Sequence, residues 1–110
     1  MIKPELFDAI ELLVDLPEVN IKAGEIGTIV EKYDDRAYEV EFANNDGETL
    51  ALLALTVDQF IVVWKNETQD WIPLGDRIAA IFQMLSEDRQ KQVLNFTRSL
   101  YKTSDRKSVV

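Results

Sequence analysis

Apolar and polar positions alternate with a period of two through the first part of the chain and with a period near 3.6 toward its end. Over 9–14, Ile10, Leu12 and Val14 alternate with Glu11, which predicts a first strand. Pro17 ends it, because proline has no N–H to give a ladder. A loop over 18–23 follows, with Asn20 as a turn residue. A second strand is predicted over 27–33 and a third over 37–42, joined by the polar turn Asp34-Asp35-Arg36. In the third, Tyr38, Val40 and Phe42 share one face and Glu39 and Glu41 the other. Asn44-Asn45-Asp46-Gly47 is the strongest turn signal in the chain. The next segment, 49–55, is rich in alanine and leucine and would suit a helix on propensity; its length and its flanking turns favour a strand. A single helical turn over 56–59, capped by Thr56, leads into a last strand over 60–64.

Gly24 and Gly27 sit just before the second strand, at the start of a tight bend. Each is expected to mark either a positive φ or a close crossing of strands. Beyond 73 the period changes. Ile78, Ile81, Phe82 and Leu85 lie on one helix face. Ser86 can cap a second helix, with Glu87 and Asp88 in its first turn. That helix carries Val93, Phe96, Thr97 and Leu100 on one face. The pattern therefore predicts an α+β chain: a five-stranded SH3-like β-barrel over 1–64, a linker over 65–73, a two-helix hairpin over 74–103 and a flexible tail over 104–110.

The segment 6–63 resembles a bacterial family known as domain of unknown function 4926. The matching pieces are Asp15-Leu16-Pro17-Glu18, the run from Lys22 through Gly24 and Gly27 to Glu31, the run from Ala37 to Phe42, and Asp46-Gly47-Glu48-Thr49. The resemblance implies an SH3-like fold and no particular activity. The run from Leu85 to Phe96 is similar to a helical-hairpin motif of small bacterial antitoxin-like proteins. That likeness implies a role as the partner of another protein.

Composition narrows the chemistry. The 110 residues contain neither cysteine nor histidine, which excludes thiol chemistry and removes the commonest general base and zinc ligand. No cofactor fingerprint, metal-ligand set or catalytic constellation is visible, so a non-enzymatic protein is expected. The carboxylates Asp34-Asp35 and Asp46-Glu48 lack the spacing of a calcium loop and read as charged turn tips. Gly24 and Gly27 precede a strand, not the helix N-terminus that a phosphate loop requires. Lys3, Glu5 and Asp8 interrupt any apolar leader, and the longest apolar run is too short to cross a bilayer; a soluble, cytoplasmic protein is the expectation.

The net charge of −8 is uneven: residues 1–64 hold 14 acids and 4 bases, while 65–110 hold 6 acids and 8 bases. The acidic first part disfavours nucleic acid and favours a protein partner, a basic one suiting its charge, with no membrane role. The expected contact residues are Trp64, Trp71, Ile78, Phe82, Val93, Phe96 and Leu100, the two tryptophans sealing the junction between modules. A basic stripe of Lys91, Arg98 and Lys102 on the second helix is a second candidate surface, for phosphate or an acidic partner. The expected function is a protein-interaction module, antitoxin-like or regulatory. A homodimer through the helical hairpin is one expected assembly. The alternatives are a nucleic-acid-linked regulator using the basic second helix and an SH3-like accessory domain of an enzyme.

Overall fold

A computed structural model describes residues 2–103; the expected tail, 104–110, lies outside the described residues. The chain is α+β. Strands β1 (Ala9–Leu12), β2 (Ile26–Lys32), β3 (Ala37–Ala43), β4 (Thr49–Thr56), β5 (Phe60–Lys65) and β6 (Asp70–Trp71) precede helices α1 (Leu74–Met84) and α2 (Glu87–Thr103). All strand pairings are antiparallel, and the order across the single sheet is β4-β3-β2-β1-β5-β6.

This corrects the expectation of a closed, five-stranded barrel. The sheet has six strands and is open: β4 and β6 form its two margins and do not pair with each other. The chain leaves β4 through a tight turn and pairs β5 with β1 on the far side of the sheet, so among the described residues no strand returns to the β4 edge. The turn itself is held by Gln59, whose side-chain Oε1 accepts the Thr56 N–H at 2.9 Å, and by the Thr56 hydroxyl, which donates to Asp58. It forms in place of the helical turn expected over 56–59.

The open sheet still curls over its own core. Ile10, Leu12, Ile29, Tyr38, Val40, Phe42, Leu55, Phe60 and Val62 form one buried cluster. Tyr38 of β3 and Phe60 of β5 are separated in the sheet by β2 and β1, yet their rings meet edge to face at 6.0 Å. Register shifts at Ala9/Ile10, Ile29/Glu31 and Phe42/Ala43 supply local bends of the kind that sharpen sheet curvature. Gly27 permits the tightest approach: a Cβ there would lie 2.6 Å from Val40 Cγ1 and 3.0 Å from Phe42 Cε1. Its neighbour Gly24 serves differently, at φ +96° with open space around it.

The stretch expected as a linker, 65–73, is part of the sheet. β5 runs on through Lys65, and β6 pairs back on it with Trp64 opposite Trp71 and Lys65 opposite Asp70. Ile72 then enters the core. The two helices follow, with Ser86 between them; its Oγ accepts the Arg89 N–H at 3.4 Å and its carbonyl accepts the Gln90 N–H at 2.8 Å. They do not close into the expected hairpin. Leu85 is extended (φ −84°, ψ 151°), the helices do not lie along each other, and the molecule is 52 Å long.

Candidate functional site

Two features stand out from the folded sheet: the helical arm, and a cleft where that arm begins. In the cleft, α1 lies against β5, whose Phe60, Ile61, Val62 and Val63 are all buried. It encloses about 570 Å³. Its walls include Tyr38, Phe60, Val62 and Ile72 from the sheet side, Ala80 and Met84 from α1, and the N-terminal strap of Ile2, Lys3 and Pro4. Arg36, Asp58 and Asp76 stand among its polar lining. The Tyr38 hydroxyl is the one buried side-chain polar atom without a hydrogen-bond partner among the described residues.

The strap is held by a charge cluster that the pattern of the sequence did not reveal. Asp8 is fully buried. Its Oδ2 accepts the Glu5 N–H at 2.9 Å and the Lys65 ammonium at 2.6 Å, and its Oδ1 accepts the Asn66 N–H at 2.9 Å. Lys65 also donates to Glu5 Oε1 at 2.7 Å and to the Lys3 carbonyl at 3.0 Å. Burial works to lower the Lys65 pKa; the bonds to Asp8 and Glu5 outweigh it and hold the ammonium above its ordinary 10.5. Asp8 and Lys65 lie 57 positions apart, so no local spacing signals the pair.

The arm is where most of the expected contact residues lie. On α1, Asp76, Ala80 and Met84 turn toward the cleft. The apolar stripe read from the sequence points the other way: Ile78 is 59% exposed, and Ile81 and Phe82 are half-buried. Leu74 is exposed as well. No residue of α2 is buried. Phe96 is 65% exposed, Leu94, Leu100 and Tyr101 are exposed with it, and Val93 is half-buried in a small hollow with Leu85 and Phe96. The structure thus leaves Ile78, Phe96 and Leu100 exposed on two helices that do not lie along each other, with Phe82 and Val93 half-buried.

The tryptophans do not seal the junction as the sequence led one to expect. Trp64 is half-buried, but Trp71 is 63% exposed on the two-residue margin strand, with the Arg77 guanidinium 5.9 Å from its ring centre. Arg77 Nε donates to the Ile72 carbonyl at 2.8 Å. Ile72, not Trp71, is the buried side chain at the seam. Trp71 stays out because a two-residue margin strand has no further layer to cover its outer face.

Lys91, Arg98 and Lys102 all lie exposed on α2. Lys91 pairs with Glu87 at 3.4 Å and Arg98 donates to Asn95 Oδ1 at 3.2 Å. The turn carboxylates serve their own loops. Asp34 Oδ1 accepts the Arg36 N–H, Asp35 pairs with Lys32 at 3.0 Å, and Asn44 Oδ1 accepts the N–H groups of Asp46 and Glu48. The bond from Lys32 lowers the Asp35 pKa and raises that of Lys32. Among the described residues, no three His, Cys, Asp or Glu side chains gather as a metal would need. No helix among them is long and apolar enough to cross a membrane.

The curled sheet corresponds closely to one family model, described as a domain of unknown function, DUF4926, which matches residues 6–62. The chain belongs to this family. The match ends inside β5, so β6, α1 and α2 lie beyond the DUF4926 segment. No curated protein and no solved structure matches the chain.

Proposed function

We propose that this DUF4926 protein is a non-enzymatic interaction module in which the curled sheet is the folded platform and the helical arm is the docking surface for another protein. The carrying observation is the exposure of Ile78, Leu94, Phe96 and Leu100 on helices that contribute no buried residue to their own chain. Side chains of this size normally find cover, and contiguous apolar helix faces are a common mode of protein recognition. Lys91, Arg98 and Lys102 lie on the face of α2 opposite Val93, Phe96 and Leu100, and suit a separate contact with an acidic group. The cleft at the root of the arm offers a socket for one apolar side chain of a partner. An antitoxin-like or regulatory role, in which the arm covers a working surface of its partner, is the form of this reading that the motif from Leu85 to Phe96 favours.

The test is co-purification from the native host of the wild-type chain beside a Phe96→Asp, Leu100→Asp variant. A protein that accompanies the first and is lost from the second, with the sheet still folded by circular dichroism, supports the docking role. A partner retained by both variants places the contact elsewhere and removes the arm from this role.

A further inference from the structure

We infer that the arm meets a second copy of this chain: α2 of each copy lies antiparallel along α1 of the other, across a two-fold axis. The inference rests on the docking role proposed for the arm and names its partner. Two apolar stripes are uncovered, not one. On α1, Leu74 and Ile78 are exposed, and Phe82 continues their row at the same spacing of four. On α2, Val93, Phe96 and Leu100 form the other stripe, with Phe96 and Leu100 exposed. Asp76, Ala80 and Met84, which border the cleft, lie on the reverse side of α1, so the sheet does not compete for its stripe.

The two stripes mirror each other about the link between the helices. Ile78 and Val93 stand equally far from the junction of Leu85 with Ser86, and so do Leu74 and Thr97. Laid antiparallel in this register, Ile78 meets Val93, and Leu74 meets the turn that carries Phe96 and Thr97. The row Leu74, Ile78, Phe82 then packs as a ridge against Val93 and Thr97. The Thr97 hydroxyl donates to the Val93 carbonyl of its own helix at 2.8 Å, so it enters such a contact already satisfied. A foreign protein would account for one uncovered stripe. It gives no reason for two stripes that match each other.

Within one copy the stripes stay apart. The Phe82 carbonyl accepts the Leu85 N–H at 3.1 Å and the Gln90 side-chain amide at 3.0 Å, which fastens the corner between the helices. The helices do not lie along each other. Cover for each stripe therefore comes from a second copy, which carries the matching one. The exchange is reciprocal, so a two-fold rotation closes the assembly at two copies. Charge favours the arm as the place of contact. The segments that meet belong to 65–110, with 6 acids and 8 bases, and not to 1–64, with 14 acids and 4 bases, where two copies would repel. Lys91, Arg98 and Lys102, on the opposite face of α2, stay in water.

The experiment uses the full chain in light scattering over a wide concentration range. The wild type should reach twice its 12.6 kDa mass. Ile78→Lys and Val93→Glu should each be monomeric, because each sets an unpaired charge in both contacts of the dimer. Mixed in equal amounts, the two should regain the dimer mass: one contact of the mixed pair is then wild type, and the other sets lysine against glutamate. A dimer made α2 to α2 would leave Ile78→Lys unaffected. The chain has no cysteine, so an Ile78→Cys, Val93→Cys variant reports the contact directly. Its oxidation should join two copies covalently, and this readout stands even if a charged variant fails to fold. A wild type that stays monomeric, a cysteine pair that closes within one chain, an Ile78→Lys variant that still dimerises, or a mixture that stays monomeric would each overturn the inference. A monomeric wild type that still captures a host protein, lost from Phe96→Asp, Leu100→Asp, would keep the docking role and overturn only the choice of partner. A dimer untouched by that double variant would overturn both.

Discussion

Gly27→Val should destabilise the protein far more than Gly24→Val, although the two glycines stand three positions apart in the same bend. At Gly27 the backbone φ is ordinary and the obstacle is space. A Cβ would sit 2.6 Å from Val40 Cγ1, 3.0 Å from the Glu41 carbonyl oxygen and 3.0 Å from Phe42 Cε1, where ordinary contact begins at 3.4 Å. Val40 is fully buried and Phe42 nearly so, so neither can swing away. Overpacking of a core by one methyl costs about 1–3 kcal/mol. A gain of about 0.4–1 kcal/mol from the stiffer unfolded chain offsets part of that for alanine. Gly27→Ala should therefore cost about 1–2 kcal/mol, and valine, with two further methyls against the same wall, about 3 kcal/mol or more. For a domain of this size that corresponds to a fall in Tm of roughly 10–20 °C. At Gly24 there is open space, and the cost is only that of holding an L-residue at positive φ, about 1–2 kcal/mol. Thermal and urea melts of the wild type and the three single variants measure the contrast. Equal losses at the two positions, or a Gly27→Val protein that melts with the wild type, would refute the close-crossing argument.

Asp8→Ala should cost about 2–4 kcal/mol in a urea melt, because it removes the buried carboxylate partner of Lys65, which keeps Glu5, and takes the acceptor from two backbone N–H groups. The difference in stability between wild type and Lys65→Met should be full below pH 10.5 and shrink as pH rises through the elevated folded-state pKa of Lys65, since the folded state then loses the proton that favours it; a difference constant to pH 12 would contradict this. Tyr38→Phe should leave stability unchanged or raise it by about 1 kcal/mol, because it removes a buried hydroxyl with no protein partner; a loss above about 2 kcal/mol would show that the hydroxyl is well bonded. Phe96→Asp should shift the melting temperature by no more than a few degrees, since the side chain supports no core; a large fall would mean the arm packs on its own sheet.

The alternation of Tyr38, Val40 and Phe42 with glutamates, the turn at Asn44 to Gly47, the capping serine at 86 and the helical spacing of Val93, Phe96 and Leu100 are local signals. They placed the strands and helices to within a few residues. Pattern and turn chemistry act over neighbouring positions, so elements of this kind are legible before folding is considered. Other properties depend on relations between distant segments. Whether a sheet closes depends on which strand meets which margin, and here β5 joined β1 and left β4 open. The residues 65–73 are polar because they form a margin hairpin, and polarity alone does not tell a hairpin from a linker. The apolar stripe of α1 was readable, but the side it presents was not: Asp76, Ala80 and Met84 border the cleft, and Ile78 was left outside. The pairing of Asp8 with Lys65, and the free edge of Thr49–Thr56, likewise exist only once the chain has brought its ends together and left one margin uncovered.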